Sequence, residues 1–307
     1  MNQGTLWMSK YLDPKTDVVF KKVFGDHPDL LISFLNALLP LEPGHEIVEL
    51  EYLPQEQVPP IPTMKRTIAD VRCRDQQGRI FIVEMQINWN DSFKQRLLFE
   101  SGQAIVSQLE KGEEYHLLRP VYGLGLIANN FDPDPEHWYH HYQLVNVMKP
   151  KREVIEHLQL VFIELQKLPI QSRQTKRLQI LWLRFMREID RTTQTIDPEL
   201  LTIPEIKRAV KLAETAAYNP GELNAYEMYW DQIRRENTLL SGREMKGRAE
   251  GLKAGLAKGL EEGRTQGLEE GRMQERIHIA KALLLKNISI ETIAEITGLT
   301  AYEITTL

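Results

Sequence analysis

The stretch RTIADVRCRDQQGRIFIVEMQINW, residues 66–89, decides how the chain is read. Two runs rich in β-branched and apolar residues, 66–75 and 79–89, are joined by Gln76-Gln77-Gly78. A short glycine-containing connection between such runs predicts a β-hairpin. Alternate residues of a strand share a face, so Glu84 and Gln86 point the same way. Glu84 is set in the apolar run IFIVEM, where a charge is costly unless it is paired or binds a metal. Strand pairing can bring Asp70 beside it, and two converging carboxylates make a hard oxygen site suited to Mg²⁺.

Outward from the hairpin, the pattern alternates between helix and strand. Upstream, Val19, Phe20, Val23 and Phe24 recur at helical spacing behind Thr16 and Asp17, both good N-cap types. A second helix is predicted from Pro28 to a stop at Pro40. A strand is expected over 46–53, then a proline-rich connection over 54–62. Downstream, 92–111 reads as a helix, and 120–131, 139–148 and 158–165 read as strands. The succession predicts an α/β core of about 165 residues. From 172 onward the periodicity is helical, with Leu178, Leu181, Trp182, Phe185 and Ile189 on one face. Further helices are expected over Ile203–Ala217 and Gly221–Leu240. Arg173, Lys176, Arg177, Arg184, Arg187 and Arg191 are read either as a solvated helix face or as phosphate contacts.

The 307 residues carry 38 Lys+Arg against 43 Asp+Glu, a formal net charge of -5. That excludes a uniformly basic nucleic-acid coat, so DNA binding would need a local patch such as Lys65-Arg66 with Arg72 and Arg74. A single cysteine, Cys73, excludes an intramolecular disulfide and fits a reducing compartment. It sits in a strand-like run and reads as a buried bystander. No window approaches the roughly 18 apolar residues of a membrane span, and the N-terminus lacks a signal-peptide apolar region. The expectation is a cytoplasmic protein without a membrane segment. His137, His140 and His141 have no cysteine or carboxylate pair to complete a zinc site.

Glycines recur every four residues at 247, 251, 255, 259, 263, 267 and 271. At 100° per residue, each step overshoots a full turn by about 40°, so the stripe winds around the helix. An interior glycine costs about 1 kcal/mol against alanine, so the ladder forfeits roughly 7 kcal/mol of helix propensity. Two readings stay open: a helix whose glycines admit a second helix, making the chain a homo-oligomer, or a flexible linker with helical tendency. Beyond it, Ser289 and Thr300 are candidate caps and Gly298 a breaker. That pattern predicts a small helix-turn-helix-like module. Its last helix carries no Lys or Arg, which favours packing or dimerisation over base reading.

Taken together, Asp17-Val18-Val19-Phe20-Lys21-Lys22-Val23-Phe24-Gly25, Asp70 and Ile82-Val83-Glu84-Met85-Gln86 resemble the recombination-promoting nuclease (Rpn) and transposase-like family of the PD-(D/E)XK nuclease superfamily. The resemblance continues through Phe93, Arg96 and Leu97 and spans about residues 10–275. It implies a PD-(D/E)XK restriction-endonuclease-like core, a mixed sheet flanked by helices, followed by an all-α C-terminal region. It also implies a metal-dependent DNA endonuclease. Asp70 and Glu84 would hold Mg²⁺, with Mn²⁺ able to substitute, and Asp17 would support them. Lys21 and Arg96 would contact phosphates. Gln86 stands where the superfamily usually has lysine, and Ala69 where it has proline. The alternative is a weak or inactive DNA-binding or assembly protein on the same fold. The expected division is 1–170 nuclease-like domain, 171–240 helical extension, 241–276 ladder and 277–307 terminal module.

Overall fold

The hairpin is present in the computed structural model, which describes residues 9–57, 67–149, 153–168 and 177–307. Its strands are Val71–Asp75 and Ile80–Gln86, and Gly78 turns the chain at φ +79°, where a side chain would be strained. In chain order the strands are β1 (Leu50–Tyr52), β2 (Glu56–Gln57), β3 (Thr67–Ile68), β4 (Val71–Asp75), β5 (Ile80–Gln86), β6 (Val121–Ile127), β7 (Tyr139–Val145) and β8 (Val154–Glu164). The helices of the first unit are α1 (Asp17–Phe20), α2 (Pro28–Leu38), α3 (Phe93–Val106), α4 (Arg177–Glu188) and α5 (Pro204–Leu212). Then comes α6 (Pro220–Leu284), followed by α7 (Ile290–Thr297) and α8 (Ala301–Thr305). Contacts divide the chain into two units, Met1–Asp231 and Gln232–Leu307.

Six strands form one mixed sheet in the order β1-β4-β5-β6-β8-β7, and β2 and β3 form a separate pair. The centre is parallel, β5 with β6 and β6 with β8, and the flanking pairs are antiparallel. The two faces bury different partners. Phe81, Val83, Leu124, Leu126, Val161 and Ile163 join a large core with α1, α2, α4, α5 and the start of α6. Ile80, Ile82, Leu160 and Phe162 face α3 through Phe93, Leu97 and Ala104. The helix lies close because β6 offers glycines there. A Cβ on Gly123 would come within 2.7 Å of Ser101 Oγ, and one on Gly125 within 2.9 Å of Phe93 and Phe162.

Local chemistry trims several expected elements. The strand expected over 46–53 shrinks to Leu50–Tyr52. Asn36 takes both backbone groups of Ile47, accepting from its N–H and donating to its carbonyl at 2.8 Å each, which replaces strand pairing there. Thr16 occupies the N-cap of α1, but its hydroxyl donates to the Asp13 carbonyl and caps nothing. The helix then widens to π geometry over Lys21–Gly25. The predicted 92–111 helix stops at Val106, and that over 203–217 stops at Leu212 before a 3₁₀ turn. β8 begins at Val154, four residues before its apolar run, because it also pairs with β7 in a hairpin.

The ladder is helical and lies within α6. A Cβ at any of its seven glycines would meet nothing within 4 Å. In the second unit, Ala280, Ile293, Leu299 and Ile304 form a small core. Ser289 caps α7, Gly298 ends it in the left-handed conformation at φ +69°, and Thr300 with Glu303 forms a capping box. No helix among the described residues is long and apolar enough to cross a membrane.

Candidate active site

Asp70 sits in the bend just before β4. Its Oδ2 accepts a 2.7 Å hydrogen bond from the Met85 amide, which ties it to the far strand of the hairpin. The β4–β5 register pairs Val71 with Val83, so the next step outward sets Asp70 opposite Glu84. Burial pushes the Asp70 carboxyl well above the usual carboxylate range, and the charges of Glu84 and Asp17 push it further. The Met85 amide pulls only partly against them. Asp17, in the first turn of α1, adds to the upward push through its side-chain hydrogen bond with Asp70. Helix α1 thus brings Asp17 to Asp70, and the hairpin sets Asp70 opposite Glu84.

Glu84 comes from the middle of the sheet, opposite Gly125 of β6, with only 5% of its side chain exposed. Its pKa is pushed up to about 8, first by burial and then by the charge of Glu100. Arg96 on α3 works against this, with Nη2 3.0 Å from Glu84 Oε2. The same Nη2 lies 2.9 Å from Gln86 Oε1. Gln86 Nε2 in turn donates to the Asn88 carbonyl at 2.6 Å. Both ends of the amide are therefore engaged. The other Glu84 oxygen, Oε1, is buried without a hydrogen-bond partner. Burying an unsatisfied carboxyl oxygen is expensive, and a catalytic role or a bound water or ion is among the reasons for it.

Among the described residues, no group of three or more His, Cys, Asp or Glu stands ready around a common point for a metal ion. The carboxyls instead face one another and Arg96. The donor set nonetheless suits a small divalent cation. Mg²⁺ keeps several waters and needs only one or two carboxylates besides a substrate phosphate. The charge of Glu84 raises the Asp70 pKa, the buried Glu84 Oε1 lacks a partner, and a cation would relieve both.

The candidate phosphate cations are already partnered. Lys21 pairs with Asp17 at 3.2 Å, one turn away on the same helix, and Arg96 pairs with Glu84. Arg184 is committed to Glu188, Asp197 and Glu199, and Arg187 and Arg191 to Glu188 and Glu227. Lys65-Arg66, Arg173 and Lys176 lie outside the described residues. The three histidines do not converge: His137 meets Asp134, His140 meets Glu164 and His141 meets Gln159. Cys73 is fully buried, and burial pushes its thiol pKa up, as suits a bystander.

Among the buried acids that sequence reading missed are Glu100 and Glu164. Glu100 lies on the stripe Phe93, Leu97, Ala104 of α3, and that helical spacing was the available signal. Glu164 ends β8 fully buried, bound by His140 at 2.8 Å, Lys167 at 2.9 Å and the Phe131 amide at 2.7 Å. Lys167, three residues on, was the only local sign, because the other two partners come from separate segments.

A family model described as PD-(D/E)XK nuclease family transposase matches residues 14–241. The match covers α1, the hairpin, α3 and the whole mixed sheet. Neither the curated proteins nor the solved structures compared with the chain include a match.

Proposed function

We propose that this chain, which belongs to the PD-(D/E)XK nuclease family transposases, is a divalent-metal-dependent DNA endonuclease. The observation that carries the reading is Asp70, set between Asp17 and Glu84 whose charges both oppose its own, beside a Glu84 carboxyl that buries one oxygen without a partner. Structural carboxylates are ordinarily arranged to relieve such repulsion, and functional sites are where it accumulates. Asp70 and Glu84 are the ligands, with Asp17 supporting Asp70. Mg²⁺ is the natural ion for this oxygen set, and Mn²⁺ substitutes. When bound, it activates a water and stabilises charge on the phosphoryl group during in-line attack.

The chain's own residues do the positioning. The Met85 amide holds Asp70, and Arg96 holds the Oε2 side of Glu84 so that Oε1 is left for the ion. Arg96 also brings its guanidinium against Gln86, the position where the superfamily usually has lysine. Arg96 thereby supplies from α3 the positive charge that the strand lacks, and it offers that charge to the phosphate. Lys21 is a second phosphate contact, released from Asp17 when the site fills. The protein works in the cytoplasm, and its ladder helix associates with a second copy.

The test is plasmid nicking in Mg²⁺ or Mn²⁺ by the wild type, Asp70→Ala and Glu84→Ala. Metal-dependent nicking lost in both variants supports the assignment. Equal cleavage by all three sinks it. One observation favours a second reading, a DNA-binding protein that kept the fold without the chemistry: the Gln86 amide is engaged at both ends. Calorimetric titration separates the two, since absence of binding at millimolar Mn²⁺ selects the second.

A further inference from the structure

We propose that Lys94, Tyr142, Phe131 and Trp89 form a subsite for one unstacked nucleotide of a single DNA strand. Its position beside the cut rests on the endonuclease reading, while its binding test does not. The four side chains come from four places: the turn after β5, the first turn of α3, the loop after β6, and β7. Trp89 meets the Phe93 ring edge-on, and the Arg96 guanidinium that pairs with Glu84 lies 5.0 Å from the centroid of that same ring, so Phe93 links the subsite to the carboxylates.

Two features point to a nucleotide. The first is charge. Lys21 and Arg96 each share their charge with a carboxylate, but Lys94 belongs to no ion pair among the described residues. Its ammonium is held by neutral groups alone. It lies 4.0 Å from the Phe131 ring centroid, 5.5 Å from that of Tyr142 and 5.9 Å from that of Trp89, and donates to the Tyr142 hydroxyl at 3.2 Å. Aromatic rings attract a cation without cancelling its charge. A protein of net charge -5 therefore keeps a full, positioned positive charge next to its acidic site.

The second feature is the rings. Trp89 and Phe131 stack at 4.5 Å and 22°, and each meets the α3-side core edge-on, at Phe93 and Phe162. That anchors them. Tyr142 also leans edge-on against Phe162 but leaves 44% of its surface exposed. A rigid ring facing solvent beside an uncompensated ammonium matches a base on its π-face and a phosphate on its charge. A duplex hides its base faces in its own stack, so the fit is to a single strand.

The experiment is fluorescence anisotropy in EDTA with a labelled single-stranded DNA oligonucleotide and the corresponding duplex. Wild type should bind the single strand more tightly than the duplex. Tyr142→Ala should weaken single-strand binding by about 5- to 150-fold, the range of a lost base stack. Tyr142→Phe, which keeps the ring, should stay within about threefold. Lys94→Gln should reduce the salt slope by about 0.7, the value of one single-strand phosphate contact. Circular dichroism confirms that each variant is folded. Equal binding by Tyr142→Ala and Tyr142→Phe, or an unchanged slope in Lys94→Gln, overturns the proposal. Because EDTA removes metal, an inactive nuclease still passes this test, and an active one that shows none of these differences fails it alone.

Discussion

Replacing Glu84 by Gln should stabilise the metal-free protein at alkaline pH and leave it unchanged in acid. The substitution preserves volume and still offers an oxygen to Arg96, so packing is conserved. What it removes is a charge that the fold disfavours. Glu84 ordinarily titrates near 4.5 and is pushed up to about 8 here by burial and by Glu100. An acid with a raised folded pKa binds its proton more tightly in the folded state, so stability falls as pH rises through the interval between those values. Below about pH 4.5 the group is neutral in both states and costs nothing. Above about pH 8 the whole penalty is present. The gap between 4.5 and about 8, at 1.36 kcal/mol per pH unit, sets a ceiling of about 5 kcal/mol. Arg96, with 38% of its side chain exposed, can turn to water once its partner is neutral, so little is lost on that side. We expect Glu84→Gln to gain about 2–4 kcal/mol at pH 8.5–9 and under about 0.5 kcal/mol at pH 4. The assay is urea unfolding in EDTA across that range, reading the difference between variant and wild type so that other titrating groups cancel. A difference that is flat with pH, or a variant less stable at pH 9, would refute the argument that this carboxylate is held against its preference.

Gly125→Ala should cost about 1–3 kcal/mol in the same unfolding assay, because its Cβ would lie 2.9 Å from Phe93 and Phe162 in a close-packed layer. Gly255→Ala with Gly259→Ala should raise helicity by about 1 kcal/mol per site, since neither position has a neighbour within 4 Å. If the ladder serves self-association, the same pair of changes lowers the mass in light scattering, as does truncation after Leu240. An unchanged mass in both disproves that role. Thr300→Ala removes the capping box of α8 and should release about 1 kcal/mol of local stability, seen as faster amide exchange over 301–305.

Much of the sheet was legible because its signals are local. The hairpin announced itself through alternation and a glycine turn, and the buried parallel strands through short apolar runs. The terminal caps were equally readable, since a cap needs only a hydroxyl and an amide two or three residues away. Element ends were less so. The 46–53 strand was shortened by Asn36, a residue from another helix. Spacing marked Asp70, Glu84 and Gln86 as candidates, and the strand register then set two of them face to face. The partners of those residues were not legible. Arg96 and Lys21 were expected to wait for phosphate, yet both lie against the site's acids.

The sequence by itself determined the layer architecture, the hairpin, the ladder and the acids at its centre, because periodicity and turn chemistry act over a few residues. Only the tertiary structure decided which charges meet. Two glycines on β6 let α3 lie close enough for Arg96 to reach Glu84 and Gln86 and for Glu100 to repel Glu84. The lysine without a carboxylate, Lys94, likewise emerged only when four separate segments packed around it. Coulombic and hydrogen-bond partners are set by distances of a few ångströms across the fold, and a linear sequence does not encode those one pair at a time.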